Sequence, residues 1–150
     1  MHRNQEVVVE PARGSGLADW SKVYLLSFYG DLGLMAPVNE VVQALGHLRR
    51  ETLLIGRLEG RPAGVVALFR TPGVLGVYCV GTLPEFRGRG VAETLLESAR
   101  RIGVSEDRRM VIQTIRSDGY EAYYLRRGFK TLYLKALLSK EKAGKGDSEG

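Results

Sequence analysis

The chain has 150 residues, 44% of them hydrophobic and 26% charged, and a formal net charge of +5. That length suits one domain with a full core, and the composition is that of an ordinary globular protein. No apolar run is long enough to span a bilayer, and Met1-His2-Arg3-Asn4-Gln5 opens no secretory core, so neither a membrane nor an export route is expected. The one cysteine, Cys79, can close no internal disulfide, which points to a reducing, cytoplasmic setting.

In the last stretch, Ser139–Gly150, Lys140, Lys142 and Lys145 balance Glu141, Asp147 and Glu149, so the positive excess sits on the body. It is concentrated in Arg49-Arg50, Arg100-Arg101, Arg108-Arg109 and Arg126-Arg127, with Arg87 and Arg89 one residue apart. An anionic partner follows, either nucleic acid or a polyphosphate ligand, although solvated helix faces also carry such pairs.

In chain order, Val7–Val9 reads as a strand closed by Pro11 and Gly14-Ser15-Gly16. Trp20, Val23, Tyr24 and Phe28 make one stripe of a helix ending at Gly30. A second helix spans Val38–Leu48, its stripe being Val41, Val42, Leu45 and Leu48. Thr52–Leu58 and Ala63–Phe69 form a hairpin around Glu59-Gly60-Arg61-Pro62, and Thr71-Pro72-Gly73 turns into the strand Val74–Leu83. A helix after Gly90 buries Val91, Leu95, Leu96, Ala99 and Ile102 and stops at Gly103. Met110–Ile115 is a strand. Asp118 and Glu121 pattern as a capping box for a helix Gly119–Arg127 that Gly128 ends. Phe129–Leu138 reads as a last strand. The expectation is an α+β fold with a mixed central sheet, a single domain over residues 1–138, and a polar, disordered tail over 139–150.

Between the strand Val74–Leu83 and the following helix lies Pro84-Glu85-Phe86-Arg87-Gly88-Arg89-Gly90-Val91-Ala92. Glycines at 88 and 90 clear side chains from the approach of a ligand and permit unusual backbone angles. A helix that starts there presents unpaired N–H groups and a partial positive end, which together cradle a pyrophosphate. Arg87 and Arg89 add charge at the rim. A plain surface loop is the competing reading. Two nucleotide motifs fail: a dinucleotide fingerprint begun at Gly88 would need Gly or Ala where Glu93 stands, and no Gly-Lys-Ser/Thr exists for a Walker loop.

The segment resembles the coenzyme-A signature of the GNAT N-acetyltransferase superfamily, Arg/Gln-x-x-Gly-x-Gly/Ala preceded by Pro-Glu-aromatic, without a gap. A second family motif, Tyr-x-x-x-Gly-Phe, is met by Tyr124-Leu125-Arg126-Arg127-Gly128-Phe129, and the element order is similar from about Val7 to Phe129. The resemblance implies acetyl-CoA as co-substrate. Gly88, Arg89, Gly90, Val91 and Ala92 would hold its pyrophosphate by backbone amides, with Arg87 at the rim. Val80 and Thr82 on the strand edge would bind the pantetheine arm, and Gly81 suits close approach or a bulge. The strands Val74–Leu83 and Met110–Ile115 would splay apart to admit the thioester.

Acyl transfer to an amine needs a proton for the departing thiolate, and the resemblance places that acid at Tyr124. A phenol, with an ordinary pKa of about 10, holds its proton at neutral pH. The competing reading is a core tyrosine, since Tyr120 and Tyr124 are i, i+4 on one helix. No general base is legible: Val74–Val80 holds no carboxylate, and Asp31, Glu40, Glu51 and Glu85 all read as surface or turn residues. Cys79, alone in an apolar strand, reads as a core residue rather than a nucleophile. His2 and His47 have no ligand spacing, so no metal is expected.

Two positions depart from the family pattern. Ser117 stands where the family usually has asparagine, and Phe129–Leu138 supplies one closing strand instead of two. The second departure suggests a homodimer that completes the sheet. The function expected is acetyl transfer from acetyl-CoA to a primary amine of a small molecule or peptide. A catalytically silent acyl-CoA-binding module is the alternative, and nucleic-acid binding ranks last, for want of a basic stripe interleaved with aromatics.

Overall fold

The structure is a computed structural model that describes residues 4–140. Its residues group into two compact units, one running to Gln113 and one beginning at Thr114.

The first unit is a five-stranded sheet in sequential order. Strands β1 (Val8–Pro11), β2 (Glu51–Leu58), β3 (Arg61–Thr71) and β4 (Val74–Thr82) pair antiparallel, and β5 (Arg109–Ile112) joins β4 in parallel. The antiparallel body follows from short turns. Glu59 (φ 57°) and Gly60 (φ 73°) form a two-residue hairpin, because two left-handed residues match the twist of the strands they join. That turn is narrower than the sequence suggested. Arg61 pairs with Leu58, and Pro62 lies inside β3 opposite Arg57, beside a bulge that leaves Ala63 of β3 without a partner on β2.

β2 and β3 are buried on both faces, from Leu53 to Ile55 and from Val65 to Val66, so they show no alternation. Helices α1 (Ser15–Phe28) and α3 (Val91–Ser105) cover opposite faces. A Cβ on Gly64 would meet Val91 Cγ1 at 2.6 Å, while one on Gly81 would meet Phe28 Cε2 at 2.9 Å. Gly81 pairs with Val65, the neighbour of Gly64, so these contacts fall on opposite sides of the sheet.

Several element boundaries differ from the sequence reading. α2 spans Met35–Leu45 instead of Val38–Leu48 and buries only Val42; Val41 on it and Leu48 beyond it are more than half exposed. α3 does not stop at Gly103. The helix runs on to Ser105, and Gly103 is needed because a side chain there would press on the Arg108 carbonyl at 3.1 Å.

The second unit holds a 3-10 turn at Arg116–Asp118 and α4 (Glu121–Leu125). The expected capping box does not form. Gly119 turns left-handed (φ 78°), so Asp118 stays in the preceding turn, and Glu121 pairs with Arg116 at 3.3 Å instead of reaching back to a cap. The helix is shorter than the expected Gly119–Arg127, ending at Leu125 with Arg126 as its cap; left-handed Gly128 (φ 91°) follows, with the Phe129 N–H donating to the Tyr124 carbonyl at 3.2 Å. The strand expected over Phe129–Leu138 is absent: from Lys130 to Lys140 the chain is exposed and unpaired in any ladder. Leu132, Leu134, Leu137 and Leu138 are all more than half exposed, so this run lacks the buried face that would hold a strand in register. The tail from position 141 lies outside the described residues. No described helix is long and apolar enough to cross a membrane.

Candidate active site

β4 carries the first feature of the site. Val74–Val77 pair with β5, but β4 continues to Thr82 while β5 stops at Ile112, leaving the second half of that edge without a described strand. The divergence begins at a bulge. Val65 opposes Gly81 and Ala67 opposes Tyr78, so Cys79 and Val80 share one place on β3, and Cys79 takes φ 56°. A positive φ on a side-chain-bearing residue is a strained arrangement of the kind that re-aims a strand. Val80 and Thr82, the expected pantetheine contacts, lie on this redirected half. Burial pushes the half-buried Cys79 thiol upward, with a smaller push from Glu51, so the sulfur is a protonated thiol rather than a ready nucleophile. Beside Gly81, the Ser27 hydroxyl is buried without a hydrogen-bond partner among the described residues.

The loop after β4 turns on Pro84–Phe86, whose Phe86 is 1% exposed and anchors it to the core. The guanidinium carbons of Arg61 and Arg89 lie 4.9 and 5.7 Å from the Phe86 ring centre. Arg89 also pairs with Glu59 at 2.8 Å, and Arg61 approaches Glu85 at 3.7 Å. Arg87 donates from Nε to the Thr82 carbonyl and from Nη2 to the Ser27 carbonyl, both at 3.2 Å, tying the loop to β4 and to the last turn of α1. Both rim arginines therefore hold the loop in shape.

Gly88 (φ 76°) and Gly90 (φ 79°) are left-handed, and a Cβ on Gly88 would meet nothing within 4 Å. Gly90 is the N-cap of α3 and offers no side chain to its first N–H groups. Val91 and Ala92 follow in that first turn, with the positive end of a helix of 15 residues behind them. An uncapped helix start, behind a loop with open space before it, fits a pyrophosphate. Residues Arg87 to Ala92 and the end of β4 thus form one continuous feature.

Tyr124 belongs to the second unit. It is half-buried, edge-on to Tyr123 at 5.1 Å and to Phe129 at 5.5 Å. Burial, helped by Tyr120, pushes its phenol up to about 12, against the smaller opposing influence of Arg127. It is a phenol that keeps its proton.

Sequence reasoning missed Asn4, Glu59 and Thr94 as supports of the loop. Asn4 and Glu59 lie 85 and 30 residues from Arg89, and nothing local in the sequence marks such pairings. Among the described residues, no group of three or more His, Cys, Asp or Glu converges to hold a metal ion.

Comparison with known proteins follows the same lines. The family model described as the acetyltransferase (GNAT) domain matches residues 49–131, more than half of the chain. Among solved structures, the fold is similar to a transcriptional regulator from Bacillus halodurans C-125, 13% identical, covering 89% of this chain and 99% of that one with a TM-score of 0.75. It is also similar to the aminoglycoside N-acetyltransferase AAC(6')-Iy in complex with CoA, 16% identical, covering 95% and 99% with a TM-score of 0.74. A third is a ribosomal-protein-alanine N-acetyltransferase from Brucella melitensis biovar Abortus 2308, 15% identical, covering 90% and 99% with a TM-score of 0.70. No curated protein sequence matches. At these identities the structures speak for the fold alone; the match of the family model over residues 49–131 goes further, and the chain belongs to the GNAT acetyltransferase family.

Proposed function

We propose that the protein transfers an acetyl group from acetyl-CoA to a primary amine by direct attack. The observation that carries this reading is the uncapped start of α3 behind left-handed Gly88 and Gly90, alongside the half of β4 that β5 leaves free. In this reading the amides of Gly88–Ala92 hold the pyrophosphate, while Val80 and Thr82 align the pantetheine arm. The co-substrate supplies an acyl thioester. The amine nitrogen bonds to its carbonyl carbon, the C–S bond breaks, the nitrogen gives up a proton to solvent, and Tyr124 protonates the thiolate. Its raised pKa suits a donor at neutral pH. The acceptor is an amine-bearing small molecule or peptide, and the lone Cys79 fits work in the cytoplasm.

A silent acyl-CoA-binding module is the second reading, supported by the transcriptional regulator among the structural neighbours. The two part in one experiment. Acetyl-CoA is incubated with the protein and a panel of aminoglycosides, polyamines and peptides, and free thiol is followed. Thiol release that depends on one acceptor class supports transfer; tight CoA binding with no release above background for any acceptor supports the module.

A further inference from the structure

We infer that Asn4, with Thr94, is a positioning residue that aims the Gly90 N–H into the phosphate cradle; this rests on the acetyl-CoA reading above. Every hydrogen-bonding group of Asn4 is engaged. Its N–H donates to Thr94 Oγ1 at 3.1 Å and its carbonyl accepts from the Val7 N–H at 3.1 Å. Its side-chain Oδ1 accepts from the Glu6 N–H at 2.9 Å, which leaves Nδ2 free to donate to the Arg89 carbonyl at 3.0 Å. The Oδ1 bond fixes which end of the amide faces the loop.

The consequence lies in the Arg89–Gly90 peptide. In a planar trans peptide the C=O and the following N–H point in opposite directions. Holding the Arg89 carbonyl toward Asn4 therefore turns the Gly90 N–H away from Asn4. Thr94 secures the next peptide: its Oγ1 donates to the Gly90 carbonyl at 2.7 Å, and its N–H reaches the same oxygen at 3.1 Å. Glu59 and Phe86 hold the Arg89 side chain as well, so the residue between the two glycines is gripped at main chain and side chain alike. A loop with glycines at 88 and 90 has many conformations open to it, and losing them on binding is costly. The Asn4 contact removes that freedom before the ligand arrives.

The test uses the full chain, with CoA and with pantetheine, which carries the thiol arm but no pyrophosphate. Asn4→Asp keeps the shape but loses the donor and sets a negative charge against the Arg89 carbonyl. Asn4→Ala removes the donor together with the Oδ1 that accepts from the Glu6 N–H. One misaimed hydrogen bond to a charged group corresponds to roughly tenfold or more in Kd. Both variants should bind CoA at least that much more weakly, with Asn4→Asp the worse, while pantetheine affinity and Tm stay at parental values. Thr94→Val should act in the same direction and Thr94→Ser, which keeps the hydroxyl, should restore CoA binding. CoA affinity unchanged in the Asn4 variants would overturn the inference. So would parallel losses of CoA, pantetheine and Tm, which would mark a general structural role. A parent that binds no CoA ends the cofactor reading and the positioning with it; a parent that binds while its Asn4 variants match it ends the positioning alone.

Discussion

Tyr124 shows what a single side chain contributes and what can be asked of it. Its neighbours Tyr123 and Phe129 meet it edge-on, a packing that the ring alone satisfies. Removing only the hydroxyl in Tyr124→Phe should therefore leave Tm near the parental value while turnover falls about 10²–10⁴-fold, the scale of general acid catalysis. CoA affinity should hardly change, and Tyr120→Phe and Tyr123→Phe should keep most of the activity. Parental turnover in Tyr124→Phe would make the residue a packing tyrosine. The pH dependence has a definite sign. With the phenol pushed up to about 12, the proton-donating form persists well past pH 10 and is lost only as pH rises through that higher value. A pH–rate profile should thus show no loss of the acid between pH 7 and 10, whereas an ordinary phenol, near 10, would already be half ionised at the upper end.

Among the elements, α3 carries most of the local physics. Val91, Leu95, Leu96 and Ala99 form its buried stripe, as their spacing in the sequence foretells. It approaches the sheet at Gly64, where an added methyl group would meet Val91 Cγ1 at 2.6 Å and the Gly81 carbonyl at 2.9 Å. Gly64→Ala should accordingly cost about 1–3 kcal/mol in denaturant unfolding, the usual scale of overpacking. On the outer side, Glu97 is held down to about 2, first by its hydrogen bonds with Arg100 and then by Arg101. A depressed carboxyl stabilises above its ordinary value and loses that contribution as pH falls toward 2. Glu97→Gln should thus lower stability at pH 7, by up to about 1 kcal/mol for such partly exposed pairs, with the difference shrinking progressively from pH 4.5 downward. A difference that does not depend on pH would assign the effect to packing instead.

Legibility in the sequence followed the range of the interactions involved. The glycine-rich loop is written in consecutive residues, because glycine backbone freedom and a helix start are local properties, and left-handed Gly88 and Gly90 stand directly before α3. The two covering helices were equally legible from periodicity, and the hairpin from its turn residues. The bulge at Cys79 was not, since it arises from pairing β4 with β3 and leaves no mark beyond Gly81 two residues on. The capping box at Asp118 failed because Gly119 supplied a competing turn. The apolar residues of Phe129–Leu138 suggested a strand, yet alternation needs a partner surface, and these side chains are exposed.

For the molecule as a whole, the acetyltransferase (GNAT) family sets the frame, and the unfinished sheet edge behind the expected homodimer stays open among the described residues, since Phe129–Leu138 forms no strand. Light scattering at high protein concentration measures the state directly. A dimeric mass agrees with the homodimer expected from the open edge, and a strictly monomeric mass overturns it. The proposed activity requires that CoA sit on the start of α3. Isothermal titration of CoA into the parent and into Gly90→Val tests it most directly, because valine cannot comfortably hold φ 79°. The parent should bind with a Kd in the micromolar range, roughly −8 kcal/mol, and a Gly90→Val protein that remains folded should show no measurable binding. No heat with the parent at millimolar CoA, or equal binding by the two proteins, would contradict it.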